Sequence, residues 1–195
     1  MFIQTEATPN PATLKFLPGQ DVLPGGSVDF RTSEEAEASP LAAQLFRIPG
    51  VAGVFFGHDF VAVTREGDEE NGFDWQHLKP AILGTIMEHF VTGKPVMNNA
   101  AMANQDLDEE DFDEADVEIV NMIKELLDTR VRPAVAQDGG DITFHGFRDG
   151  IVYLHMRGAC AGCPSSTATL KHGIQNLLKH FIPEVQEVEP VGVYL

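Results

Sequence analysis

Residues 157–171 read R-G-A-C-A-G-C-P-S-S-T-A-T-L-K, and the order of the second half of the chain follows from them. They hold the only two cysteines in 195 residues, Cys160 and Cys163, spaced C-x-x-C. Alternating residues lead in and helical periodicity leads out, so the motif marks a strand-to-helix junction. Pro164 has the fixed φ and missing N–H that suit the first position of a helix. Cys163 then falls at about the N-cap, at the positive end of the macrodipole. Ser165, Ser166, Thr167 and Thr169 can satisfy free backbone donors of the first turns. Such a place favours a thiolate and tolerates an anionic ligand set. Gly158, Ala159, Ala161 and Gly162 leave the loop without bulk, so a second body can approach its backbone. The plain alternative is a structural pair, since free cysteine often packs as a small hydrophobe.

Working outward, a helix over about 165–181 buries Leu170, Ile174, Leu177, Leu178 and Phe181. Pro183 stops it and 185–193 makes a last strand. Upstream, 141–147 and 151–156 alternate and are joined by R-D-G, a hairpin signal. A-V-A-Q-D-G-G-D at 134–141 reads as a turn, in which Asp138 and Asp141 shape the glycine pair. Before it, Val117, Val120, Ile123, Leu126, Leu127 and Val131 recur at helical spacing over 114–131, and Pro133 comes near the end. The order is α-β-β-α-β over 115–195, with the two helices on one face of a small sheet.

Residues 93–114 differ in character. Asp106–Glu118 carries nine acids and no base. Like charges repel and stay solvated, which predicts a flexible acidic linker. The glycine-punctuated spacing of a calcium loop is missing. Residues 1–92 form a separate α+β unit without cysteine. Strands are expected at 2–6, 12–17 and 27–30. Ser39-Pro40 opens a helix, with an N-cap followed by proline at its first position. Residues 51–56 and 60–65 make a hairpin around G-H-D, and Asp74 caps a helix over 75–91. His58 reads as a turn residue and Trp75 as a helix-end plug. The fold class is therefore α+β: two small domains joined by an acidic linker.

The net charge of −17 argues against a nucleic-acid partner, which needs clustered Lys and Arg to neutralise phosphate. It also disfavours anionic membrane surfaces, and no apolar run of about 18 residues exists to span a bilayer. The first eleven residues lack the basic and apolar regions of a targeting segment, which predicts a cytoplasmic, bacterial-type location. In a reducing compartment a C-x-x-C is metal-binding or catalytic rather than a structural disulfide.

One C-x-x-C supplies two ligands, whereas a structural zinc site or a four-iron cluster takes four. Two chains could make up the count, and soft thiolates suit zinc, copper(I) or iron–sulfur. His145, His155, His172 and His180 read as surface residues, with His172 the best reserve ligand.

The stretches R-P-A-V-A-Q-D-G-G-D-I (132–142) and G-A-C-A-G-C-P-S-S-T-A-T-L-K (158–171) resemble the C-terminal domain of the NifU-like (Nfu) iron–sulfur scaffold and carrier family. T-P-N-P-A-T-L-K-F (8–16) and D-F-V-A-V-T (59–64) resemble its N-terminal domain. The resemblance implies that Cys160 and Cys163 from two protomers hold a [4Fe–4S] cluster. It also implies a homodimer when loaded, an upstream assembly scaffold as source, apo iron–sulfur proteins as acceptors, and a carrier rather than an enzyme. Residues 1–92 are left for partner binding. Two rivals stand beside this reading. One is a zinc-stapled dimer. The other is a thiol–disulfide oxidoreductase, disfavoured because the proline follows the second cysteine and because a hairpin stands where a parallel crossover is needed.

Overall fold

The computed structural model describes residues 2–67, 72–98, 110–161 and 164–191, with the backbone alone for 164–166. It divides into two units, residues 1–106 and 107–195.

The first unit is built on β1 (Gln4–Ala7), β2 (Thr13–Leu17), β3 (Val28–Phe30), β4 (Val51–Phe56) and β5 (Val61–Arg65). They form an antiparallel sheet in the order β1-β2-β5-β4-β3. Its helices are α1 (Ser33–Ala36), α2 (Pro40–Phe46) and α3 (Trp75–Thr92). The Ser39 hydroxyl accepts from the Ala42 N–H, and Pro40 fills the first position of α2 as its sequence predicts. Asp74 caps α3 through the Gln76 N–H. Helix α1 was not foreseen, although Thr32 caps it and Glu35 reaches back to the Arg31 N–H at 2.7 Å. T-S-E-E is the capping-box pattern that announces such a start. Phe16, Phe56, Leu41, Leu45, Ile82 and Ile86 close the core between sheet and helices.

Part of the stretch expected as linker belongs to this unit. Met97 is buried in its core and Val96 packs against it. The Ser39 hydroxyl donates to the Val96 carbonyl, and the Asn98 N–H to the Ala38 carbonyl at 3.0 Å. Residues 99–109 of that stretch lie outside the described residues.

The second unit carries β6 (Asp111–Phe112), α4 (Val117–Leu126), α5 (Arg132–Gln137), β7 (Gly140–Arg148), β8 (Ile151–Gly158), α6 (Pro164–Phe181) and β9 (Glu187–Val191). Its sheet order is β6-β7-β8-β9. Strands β7 and β8 are the expected hairpin, turned by Asp149 (φ 51°) and Gly150 (φ 80°), the left-handed pair that a two-residue turn requires. Strand β6 is an addition, pairing parallel to β7 at residues expected to be linker. Strand β9 pairs parallel to β8, so β8, α6 and β9 make a crossover unit. Along β8, Val152, Leu154 and Met156 face the core while Tyr153, His155 and Arg157 stay half-buried on the other face. Ile123, Leu127, Ile174 and Leu178 from the helices complete that core, which puts the helices on one face.

The expected single helix over 114–131 runs further. A 3-10 turn (Glu114–Asp116) precedes α4, a π-turn (Leu127–Val131) follows it, and α5 carries the chain to Gln137. The Arg132 N–H reaches back five residues to the Leu127 carbonyl. Pro133 then sits in the first turn of α5, where its missing N–H costs nothing. The glycine turn shrinks to Asp138-Gly139, with Gly139 at φ 80°.

Candidate metal centre

Strand β8 ends at Gly158, in register with Gly140 at the start of β7. Gly158 takes φ 65° and turns the chain. The Ala159 N–H then donates to the Gly139 carbonyl at 3.1 Å, and the Ala161 N–H to the Gly158 carbonyl at 3.1 Å. The Cys160 carbonyl accepts from the Thr167 hydroxyl at 2.9 Å, tying the loop to the first turns of α6. Within the chain, Gly140 at the start of β7 lies against Cys160.

Cys160 is only 6% exposed. Burial pushes its thiol up to about 12, with the carboxylates of Asp138 and Asp141 adding to the effect. This differs from the exposed, thiolate-favouring loop that the spacing suggests. The helix dipole acts on groups at the helix mouth, whereas Cys160 is packed into the core of the second unit. Cys163, the second predicted residue, lies outside the described residues.

Asp141 does more than shape a turn. It is 6% exposed, and its carboxylate is gripped by Arg132 through Nε at 2.9 Å and Nη2 at 3.0 Å. The Ile142 N–H donates to the same carboxylate at 2.8 Å. Nη1 of Arg132 pairs with Asp128 one helical turn earlier, at 3.0 Å. The hydrogen bond to Asp141 is the largest influence holding the guanidinium above its usual range. A planar fork meeting a carboxylate by two bonds fixes geometry as well as charge. Arg132 therefore pins the start of β7, the strand whose first residue lies under Cys160. The sequence reading missed this pair, because nine residues separate Arg132 from Asp141 and only the fold of α5 and its turn brings them together.

The other candidates disperse. His172 is exposed, and no group of three His, Cys, Asp or Glu side chains capable of holding a metal ion occurs among the described residues. His145 and His155 meet each other instead, ring nitrogen to ring nitrogen at 3.0 Å across β7 and β8. His58 lies 3.4 Å from Asp21, both exposed. Trp75 does plug the start of α3, its indole N–H donating to the Pro11 carbonyl at 3.2 Å.

The β8–α6–β9 crossover removes one argument against the oxidoreductase rival, since the motif does sit within a parallel crossover. The comparisons decide the class. Geometry defines a two-unit α+β protein with a dithiol motif at the crossover of its second unit. Residues 3–93 match the family described as the scaffold protein Nfu/NifU N terminal, and residues 123–189 match the NifU-like domain. The human protein called NFU1 iron-sulfur cluster scaffold homolog, mitochondrial, is 53% identical over 191 residues, covering 98% of this chain and 72% of that protein. The protein of the same name from Drosophila sechellia is 52% identical over 192 residues, covering 98% and 65%. The solution structure of a NifU-like protein from Saccharomyces cerevisiae superposes at a TM-score of 0.44 with 29% identity, over 51% of this chain and 86% of that one. The chain belongs to the Nfu/NifU family of iron–sulfur cluster scaffold proteins.

One expectation falls here. The relatives are named mitochondrial, which overturns the bacterial-type cytoplasmic location. That expectation rested on what the first residues lack. A chain that spans 72% and 65% of two relatives' lengths supports no conclusion drawn from its ends.

Proposed function

We propose that this chain carries a [4Fe–4S] cluster as cargo, held between two protomers by Cys160 and Cys163 of each, and hands it to apo iron–sulfur proteins. Membership of the scaffold family supplies the class of cargo. The observation that carries the assignment to these residues is the position of Cys160 at the β8–α6 crossover, beside the Asp138–Asp141 turn. Four thiolates satisfy a four-iron core, and one chain offers two. Each thiol gives up its proton as its sulfur bonds to iron. A site between chains opens when the chains part, which suits cargo that must leave. The cluster comes from an upstream assembly scaffold, and the first unit, which has no cysteine, serves partner binding. The names of the relatives favour a mitochondrial setting.

Anaerobic reconstitution with iron and sulfide tests the reading. The expected product is a dimer with about four irons per pair of chains and a broad visible absorption. A colourless zinc-binding chain, or a monomeric dithiol that reduces disulfides, would sink it. Deleting residues 1–92 is expected to leave reconstitution intact and to slow delivery to some acceptors. Unchanged transfer to all acceptors tested would remove the partner-binding role.

A further inference from the structure

Two histidine rings meet on the sheet face of the second unit opposite its helices. Nδ1 of His145 lies 3.0 Å from Nε2 of His155, with the ring centroids 4.5 Å apart and the ring planes at 68°. Regular pairing would not set these two side by side, because His155 is in register with Thr143 rather than with His145. The register shift between Phe144 and Gly146 makes His145 the extra residue of a β-bulge, opposite no residue of β8. A bulge re-aims the side chain it carries, and this one brings the His145 ring to His155. Both rings are half-buried, so the strands fix their place while water still reaches them.

Facing nitrogens of two imidazoles can share a proton or share a metal ion. Two metal–nitrogen bonds of about 2.1 Å meeting at a right angle hold the nitrogens about 3.0 Å apart, whereas a tetrahedral angle spreads them to about 3.4 Å. The 3.0 Å seen here fits adjacent positions of a square or octahedral ion better than the tetrahedron of zinc. Entry of an ion takes no net proton from the neutral pair. The proton between the two nitrogens passes through water to the outer nitrogen of its own ring, and with a tilt of the rings both inner lone pairs face the ion. Thr143, in register opposite His155, holds a buried hydroxyl with no hydrogen-bond partner among the described residues, the mark of a place where an added water or ion completes the set. The net charge of −17 favours a cation.

We infer that His145 and His155 form a two-histidine chelate for a divalent first-row cation of the nickel(II) or copper(II) kind, with water in its remaining positions. Three or four protein ligands close a site, whereas two leave the ion exchangeable. The chelate is separate from the C-x-x-C motif. His155 stands on the face of β8 away from the core into which Cys160 packs, and imidazole rather than thiolate binds the ion. It lies beyond the cargo reading and does not depend on it.

The test titrates nickel(II) chloride into the full-length chain, without iron or sulfide and under argon, and follows the histidine ring protons by NMR. His145→Gln and His155→Gln assign the two ring signals, and circular dichroism checks that both variants are folded. Nickel below one equivalent is expected to broaden the signals of His145 and His155 while that of the exposed His172 stays sharp. Either variant should weaken nickel binding about 100-fold, because the strands hold the second ring at a high effective concentration. His172→Gln should leave it unchanged. Broadening of His145, His155 and His172 over the same range of nickel would mean single-histidine surface binding only and would overturn the chelate. So would nickel affinity in either Gln variant equal to that of the natural chain. Nickel held by the cysteines instead would broaden His155 from nearby, so the titration is repeated with Cys160→Ser and Cys163→Ser together. Persistence of the broadening and the affinity is expected. Loss of both in a folded chain would move the ion to the thiols and overturn the assignment. The histidine variants decide the question in the natural background should the serine chain not fold.

Discussion

The two units differ in what their buried polar groups touch. In the first, Asn10, Thr13, Lys15, Ser39, Arg65 and His89 are buried, spread over β2, β5, α3 and the turns that lead into β2 and α2. The contacts seen for three of them are structural. Ser39 caps α2 and bonds the Val96 carbonyl. Lys15 lies 4.6 Å from the ring of Phe60 and 3.6 Å from Glu6. Arg65 donates to the Phe73 carbonyl at 2.9 Å. In the second unit the buried polar groups converge. Asp141 and Cys160 sit at one corner, with Arg132 gripping the first and Asp138 near the second. Dispersed buried polarity satisfies backbone and completes a fold. In the second unit burial first, and the carboxylates of Asp138 and Asp141 next, perturb the Cys160 thiol, which makes that corner the candidate site.

The largest test of this contrast is chemical. Cys160→Ser or Cys163→Ser is expected to abolish cluster binding, seen as loss of iron and sulfide after reconstitution. A single variant that keeps a full cluster would mean another ligand and would end the assignment to the second unit. Next comes Asp141→Ala, which leaves Arg132 without its main partner and frees the start of β7. Arg132 is half-exposed and keeps Asp128, so a loss of about 2 kcal/mol is expected rather than the full 3–5 of a deeply buried pair. Urea unfolding should show the second unit melting earlier and the first unmoved. Equal shifts in both would break the contrast. Ser39→Ala should cost the first unit about 1–2 kcal/mol, since it removes a cap and leaves the Val96 carbonyl short of a donor. Cluster loading is expected to be unchanged by it.

The smallest effect concerns pH. His89 is buried, and burial first and the nearby Lys94 second lower its pKa. The unfolded chain then binds the proton more readily than the folded one, so stability rises with pH. His89 contributes fully above its unfolded value of about 6.5, and its contribution is lost as pH falls below that. Acid unfolding of the first unit should become less pH-dependent below about 6.5 in His89→Gln. An identical pH profile in the variant would show that another group sets the acid limit.

Legibility followed distance along the chain. Ser39-Pro40, Asp74 and the Asp149-Gly150 turn act on residues two or three positions away, and the sequence announced each of them. Thr32 and Glu35 carried the same kind of local signal and were passed over. The C-x-x-C located Cys160 and its strand-to-helix setting, because spacing and Pro164 are local facts. The sequence could not show that Cys160 is buried, because it packs against Gly140, twenty positions back and brought near by the β7–β8 pairing. Nor could it show the grip of Arg132 on Asp141, the parallel pairing of β6 with β7, or the packing of Met97 on the first unit. By itself, then, the sequence determined the caps, the turns, the class and the cysteine motif, each decided by neighbours in the chain. Only the tertiary structure decided which buried groups meet, because burial and long-range pairing depend on how distant segments close on one another.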